Sequence, residues 1–175
     1  FRNSTRRSSG THDDYILENE LVKAVFHRIT GCLISFVDKA TGTEYIDGNR
    51  PVGLSVITMQ RIGTSAWNIG KYLKVEPMDK PINIDRLSGG DLRQSFTATY
   101  KWGMSRLKVT PILNAGERGL RFCIEVEWNE VTGEDSAPLL VFRVPHREKV
   151  GEYLCDVPAG MVRRAPRNQD IPCLR

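Results

Sequence analysis

At 175 residues the chain has the length of one domain, and a domain of that size buries roughly 70% of the surface its unfolded form exposes. Hydrophobic content of 40% and charged content of 26% are ordinary for a globular protein, and no apolar run approaches the ~18 residues of a membrane span. The net charge of +4 divides into +3 in residues 1–10 (Arg2, Arg6, Arg7) and +3 in residues 163–175 (Arg163, Arg164, Arg167, Arg175 against Asp170). That leaves −2 for residues 11–162, so no basic stripe marks a nucleic-acid partner.

The opening "FRNSTRRSSGTHDD" is polar and lacks the apolar stretch of a secretory leader. Residues 1–13 therefore read as a disordered tail, linker or cloning remnant, and residues 14–175 as a single domain. With no starting methionine, the chain is expected to be a piece of something longer. From Tyr15 onward the dominant period is two, beginning with "YILENELVKAVF". The next segment, "FVDKATGTEY" (36–45), resembles the surround of a phosphorylated aspartate, with Ala40 splitting the match. A phosphoacceptor aspartate needs a strand end in an α/β site with a magnesium cluster nearby. Nothing in the pattern supplies one, so Asp38 reads as a turn residue ahead of Thr41-Gly42.

The segment "SAWNIGKYLKVEP" is read as a non-strand stretch that admits a helical turn, interrupted by Gly70. Trp67 and Tyr72 stand there among Asn68 and Lys71. An aromatic beside amides stacks and hydrogen-bonds a sugar ring, while the plainer reading is a loop tryptophan closing one end of the fold. Trp67, Asn68 and Tyr72 are thus the candidate carbohydrate-binding residues.

In "LRQSFTATYKWGMSRLKVTPILN", residues 92–101 and 104–113 are expected to pair across Trp102-Gly103 as a hairpin. In "GLRFCIEVEWNE", Leu120, Phe122, Ile124, Val126 and Trp128 alternate with Arg121, Cys123, Glu125, Glu127 and Asn129, which sets one face in a core. Turn signals recur at Thr30-Gly31, Thr41-Gly42, Asp47-Gly48-Asn49, Ser88 to Asp91, Gly116 to Gly119, Thr132 to Pro138 and Pro158-Ala159-Gly160. That punctuation predicts an all-β antiparallel sandwich.

Other candidate chemistry is sparse. His12, His27 and His146 are isolated, and no phosphate-binding loop occurs. Glu125 and Glu127 share a polar strand face and read as solvated carboxylates. Cys32, Cys123, Cys155 and Cys173 form no Cys-x-x-Cys, which points to reduced thiols and a cytoplasmic location, although the fold is free to bring Cys123 and Cys155 together. No catalytic or metal-ligating residue is assigned.

Taken in order, the segments resemble a known family. Leu17 to Glu20, Gly31 to Ser35, then Asp38, Lys39, Thr41 and Gly42 are similar to the opening of the β-domain of glycoside hydrolase family 38 α-mannosidases. Ala66, Trp67, Ile69 and Gly70 resemble an element of its microbial members, and "SRLKVTPILNAGERGLRFCIEVEWNE" and "LCDVPAGMVRRAP" resemble later strands. The resemblance implies part of a galactose-mutarotase-like super-sandwich, truncated at its C-terminal side. It also implies a parent that hydrolyses α-mannosidic bonds through an aspartate nucleophile and a divalent metal, zinc, held in a separate α/β domain. On that reading this chain is a non-catalytic fragment without cofactor. Its expected partners are the catalytic and helical domains of the parent, mannosides, and further copies of itself through exposed strand edges. A stand-alone carbohydrate-binding or structural interaction module is the alternative.

Overall fold

The computed structural model describes residues 14–63, 70–85, 87–147 and 151–165, and among these there is no helix. Trp67 and Asn68, and the tail 1–13, lie outside the described residues. The strands run β1 (Tyr15–Glu18), β2 (Val22–Phe26), β3 (Leu33–Asp38), β4 (Gly53–Gln60), β5 (Tyr72–Pro77), β6 (Asn83–Ile84) and β7 (Ser88–Gly89). They continue as β8 (Arg93–Ser95), β9 (Ala98–Trp102), β10 (Ser105–Asn114), β11 (Arg121–Glu127), β12 (Ser136–Arg143), β13 (Tyr153–Val157) and β14 (Gly160–Arg164). Every pairing between them is antiparallel.

One layer of the sandwich begins as the meander β1-β2-β3 and passes through a Leu33–Val52 bridge into the sheet β12-β4-β5. The facing layer is built on β10, with β9, β8, β6 and β7 to one side and β11 on the other. Between them lies the core: Leu17, Val22, Ala24 and Phe26 from the meander, Leu54 and Val56 from β4, and Phe96, Ala98, Tyr100, Leu107, Val109 and Leu113 opposite. Tyr15 stacks on Phe96 with centroids 4.7 Å apart, and Phe26 meets the same ring edge-on at 5.0 Å. Alternation dictates this arrangement, because β10 buries Leu107, Val109 and Leu113 while Arg106 and Lys108 turn outward.

The expected hairpin is present, but its first strand is broken into β8 and β9. The break at Phe96-Thr97 falls opposite Thr110 and Pro111, and proline has no amide hydrogen to contribute to a ladder. The Thr97 and Thr110 hydroxyls bond at 2.9 Å across the gap. In β11 the predicted inner face is only partly covered: Phe122 and Ile124 pack against the core, but Val126 is 45% exposed.

The helical turn considered for residues 65–73 is corrected where it can be seen. Tyr72 and Leu73 begin β5, whose register to β4 shifts between Thr58 and Met59. Gly70 is the reason: a Cβ there would stand 1.7 Å from the Gln60 carbonyl oxygen, so only glycine lets the chain come in and pair. The Gln60 amide then donates to the Lys71 carbonyl.

Candidate functional site

The residues singled out by sequence have clear structural roles. Asn19 lies between β1 and β2, and its Oδ1 accepts from the amides of Leu21 and Val22. Its Nδ2 donates to the carbonyls of Asn114 and Glu117, 2.8 Å each, so one side chain ties the first turn of one layer to a turn of the other. Asp38, 5% exposed, accepts at Oδ1 from the amides of Ala40 and Thr41 and at Oδ2 from Arg118. It closes the turn with the Gly42 amide on its carbonyl, and among the described residues no cluster of His, Cys, Asp or Glu side chains stands there to hold the metal ion that phosphoryl transfer would need.

Glu44 organises the next turn by accepting from the Ser35 hydroxyl and from the amides of Phe36 and Ile46. Partial burial pushes its carboxyl pKa up, but these bonds and the nearby Arg147 outweigh that and hold it below the ordinary value. Gly31, at φ +67°, lies so close to β9 that a Cβ would meet Ala98 Cβ and Tyr100 Oη at 2.9 Å. His27 Nδ1 is paired with Thr30, and His146 lies 6.1 Å from the Tyr45 ring. Glu125 and Glu127 are exposed on β11, the former 3.5 Å from Lys108 Nζ. Cys32, Cys123 and Cys155 are free thiols.

Of the three candidate sugar contacts, Tyr72 is the one within the described residues. It is half-exposed at the start of β5, opposite Met59, and not on a loop.

A more site-like feature lies elsewhere. Where β5 ends and the chain passes through Met78, Asp79 and Lys80, it meets the last residues of β9 and leaves an open cleft of about 270 Å³. Glu76, Asp79, Lys80, Lys101 and Trp102 line it, with Tyr100 at its base. Tyr100 is fixed: its hydroxyl donates to the Thr30 carbonyl at 2.7 Å, and burial, with the Cys32 thiol and the Asp79 charge adding to it, pushes its pKa far up. Burial likewise raises the Cys32 pKa, against the Thr30 bond that lowers it, which favours the thiol over the thiolate.

Asp79, Lys80 and Lys101 are different, because among the described residues no hydrogen bond or salt bridge engages their side chains. Sequence reading missed this cleft because Tyr100 and Trp102 read as alternating core residues and a turn. The available signal was the charged run Glu76, Asp79, Lys80 directly after a strand.

Among the described residues no three His, Cys, Asp or Glu side chains converge as metal ligands, so the divalent ion implied by the resemblance does not fit on them. No helix of the described residues is long and apolar enough to cross a membrane. Comparison with curated proteins returns no match. The profile of the family described as "Glycosyl hydrolases family 38 C-terminal domain" matches residues 17–171, and the chain therefore belongs to that family, as a C-terminal domain of it.

Proposed function

We propose that this chain is the non-catalytic β-domain of an α-mannosidase-type enzyme of family 38, and that it supports the catalytic domain and completes the substrate cleft. The observation that carries the reading is the second face of the sheet β12-β4-β5. Its inner face gives Leu54, Val56, Leu140 and Phe142 to the core. The outer face is also apolar: Val141, Ser55 and Pro77 form one row, Leu139, Ile57 and Val75 the next, and Ala137, Met59 and Tyr72 the third. Ser55 and Ile57 in the middle of this face are already buried, whereas Val75 at 41% and Tyr72 at 50% exposed leave its β5 side open. The remainder of a family 38 enzyme is the proposed cover. Retaining hydrolysis by paired carboxylates, with the divalent metal, belongs to that remainder.

The test has two arms. The purified chain should not hydrolyse an aryl α-mannoside, and it should associate with the remainder of its reading frame when the two are co-expressed, with Val141→Lys abolishing association while leaving the fold intact. Turnover by the chain alone, or association indifferent to Val141→Lys, overturns the reading. Alone in solution, the exposed β5 side of that face and the edges of β5 and β12, which pair with no further strand among the described residues, should pair copies of the chain. Light scattering at high concentration checks this, and a clean monomer counts against it.

A second reading, a stand-alone carbohydrate-binding module, draws support from the exposed Tyr72. Binding of mannose that is lost in Tyr72→Ala would favour it.

A further inference from the structure

The cleft beside β9 does not gather its charges on one ligand. Glu76 is paired with Lys74 at 2.7 Å, and alternation along β9 sets Lys101 on the face opposite Tyr100 and Trp102. The outer edge of β11 is more complete. Among the described residues β11 pairs with β10 and with no other strand. Edge strands are ordinarily guarded by proline, by bulges or by brevity. β5 has Pro77 and a register shift, β12 has Pro138, and β6 and β7 are two residues each. β11 runs for seven residues with no proline and an unbroken register to β10.

The peptide groups it offers follow from the ladder. The carbonyls of Thr97 and Thr99 accept from Asp85 and Ile82, on the side of β9 away from β10. Peptide groups alternate sides along a strand, so Ala98 and Tyr100 face β10, opposite Val109 and Leu107. Arg106, Lys108, Thr110 and Ile112 then face β11, opposite Glu127, Glu125, Cys123 and Arg121. Phe122, Ile124 and Val126 are left with their N–H and C=O groups pointing out of the sheet. Their side chains share the core face, where Phe122 and Ile124 pack inward and Val126 stays exposed.

We propose that two copies of the chain join at this edge, β11 against β11, antiparallel about a two-fold axis through Ile124. Only this axis matches all three outward residues with one another: Ile124 with the partner's Ile124, Phe122 with the partner's Val126, and Val126 with the partner's Phe122. Each facing pair exchanges two bonds, about six main-chain hydrogen bonds in all. On the core face the match covers Val126 with an aromatic ring, a favourable cross-strand pair. On the solvent face it sets Arg121 opposite the partner's Glu127 and Cys123 opposite the partner's Glu125. Glu127 then stands between Arg106 of its own chain and the partner's Arg121. Arg121 holds Glu117 through Nε and Nη2 and keeps Nη1 for this contact. An axis at Glu125 or Val126 would set Glu125 opposite the partner's Glu125 or Glu127, like charges directly opposed. An axis at Phe122 or Cys123 would leave Val126 facing residues before the partner's β11. The edge pairs copies of the chain whether or not a catalytic domain covers the sheet β12-β4-β5.

The test is made in Val141→Lys, so that the face assigned to the covering domain contributes nothing. Sedimentation equilibrium of this chain should show exchange between monomer and dimer. Adding Val126→Pro removes a donor used twice in the dimer and leaves the β10 ladder intact, because that N–H points out of the sheet. The dissociation constant should rise by about tenfold or more, two main-chain bonds' worth. The register is read by cross-linking in a Cys155→Ser, Cys173→Ser background, which needs no proline. Glu125→Cys places a thiol directly opposite the partner's Cys123, within the separation a disulfide spans. Mild oxidation should then give a covalent dimer, and Cys123→Ser should abolish it. Without Glu125→Cys, Cys123 is offset by two residues from the partner's Cys123 and should stay unlinked. A dimer indifferent to Val126→Pro, no cross-link in Glu125→Cys, or a dimer linked through Cys123 alone would overturn the proposal. Loss of all association in Val141→Lys would also overturn it while leaving the role of the outer face standing, so the two readings fail separately.

Discussion

The two halves of the molecule use apolar residues differently. Across β1, β2 and β10 the alternation is strict: Leu17, Ala24, Phe26 and Leu107 have no exposed surface, and their strand neighbours are polar or partly wet. Across β5, β13 and β14 apolar side chains stay in solvent, with Leu73 at 55%, Leu154 at 59% and Met161 at 72% exposed. Among the described residues the hairpin β13-β14 makes no extensive contact with any other strand, and a lone two-stranded hairpin is marginal in water. The first half is thus a finished sandwich closed by its own turns, and the second carries apolar surface that its own chain does not fully bury. If that contrast is real, substitutions should register globally in the first half and only locally in the second.

The largest effect is expected at Phe26, which is fully buried and touches Phe96 and Phe122. Phe26→Ala should cost about 3–5 kcal/mol by chemical denaturation. The matching truncation Leu154→Ala in β13 should stay within about 0.5 kcal/mol. Comparable losses at the two sites would erase the distinction between the halves. Next comes Asn19→Ala, which leaves two amides and two carbonyls without their bonds and is expected to cost about 2–3 kcal/mol. Asn19→Asp keeps the acceptor and loses the donors, so it should fall between wild type and alanine. A loss near zero for Asn19→Ala would mean that water substitutes for the clamp.

Much of the finished half was legible in the sequence. The hairpin around Gly103 and the turn at Asp38 follow from period-two patterning and turn chemistry, which act over a few residues. The resemblance was legible for the same reason: Asn19, Gly31 and Asp38 shape turns, so the segments that identify the family are largely those that hold the fold. What sequence could not supply was long-range. The break at Phe96-Thr97 depends on Pro111 standing opposite, fifteen positions from Phe96. Tyr72 was placed on a loop because Gly70 reads locally as a breaker, whereas its role is close approach to Gln60. The cleft is assembled from residues 76–80 and 100–102, and neither stretch carries a motif by itself.

Acid should also discriminate between the halves. Glu44 belongs to the finished one, and its folded-state pKa lies below the unfolded value. It therefore contributes stability that is present above the ordinary glutamate value of 4.5 and is lost as pH falls through the lower folded value. Glu44→Gln should lower stability at neutral pH, where the carboxylate's contribution is fully present, and flatten stability against pH in that window. An unchanged acid profile would remove Glu44 from the pH response.

The smallest effect concerns the hairpin turn. Ala159 is the one non-glycine residue with positive φ among those described, at +72° between Pro158 and Gly160. An L-residue pays about 1–2 kcal/mol in that region, whereas glycine gives back about 0.5–1 kcal/mol in unfolded-state entropy. Ala159→Gly should therefore stabilise the turn by about 1 kcal/mol or less. Because β13 and β14 pair chiefly with each other, that gain should slow amide exchange across Tyr153–Arg164 without moving the melting temperature of the sandwich. A rise in the global melting temperature would show that the hairpin unfolds with the core. In the complex with a covering domain, the hairpin should become part of one cooperative unit, and the same substitution should then shift melting as well as exchange.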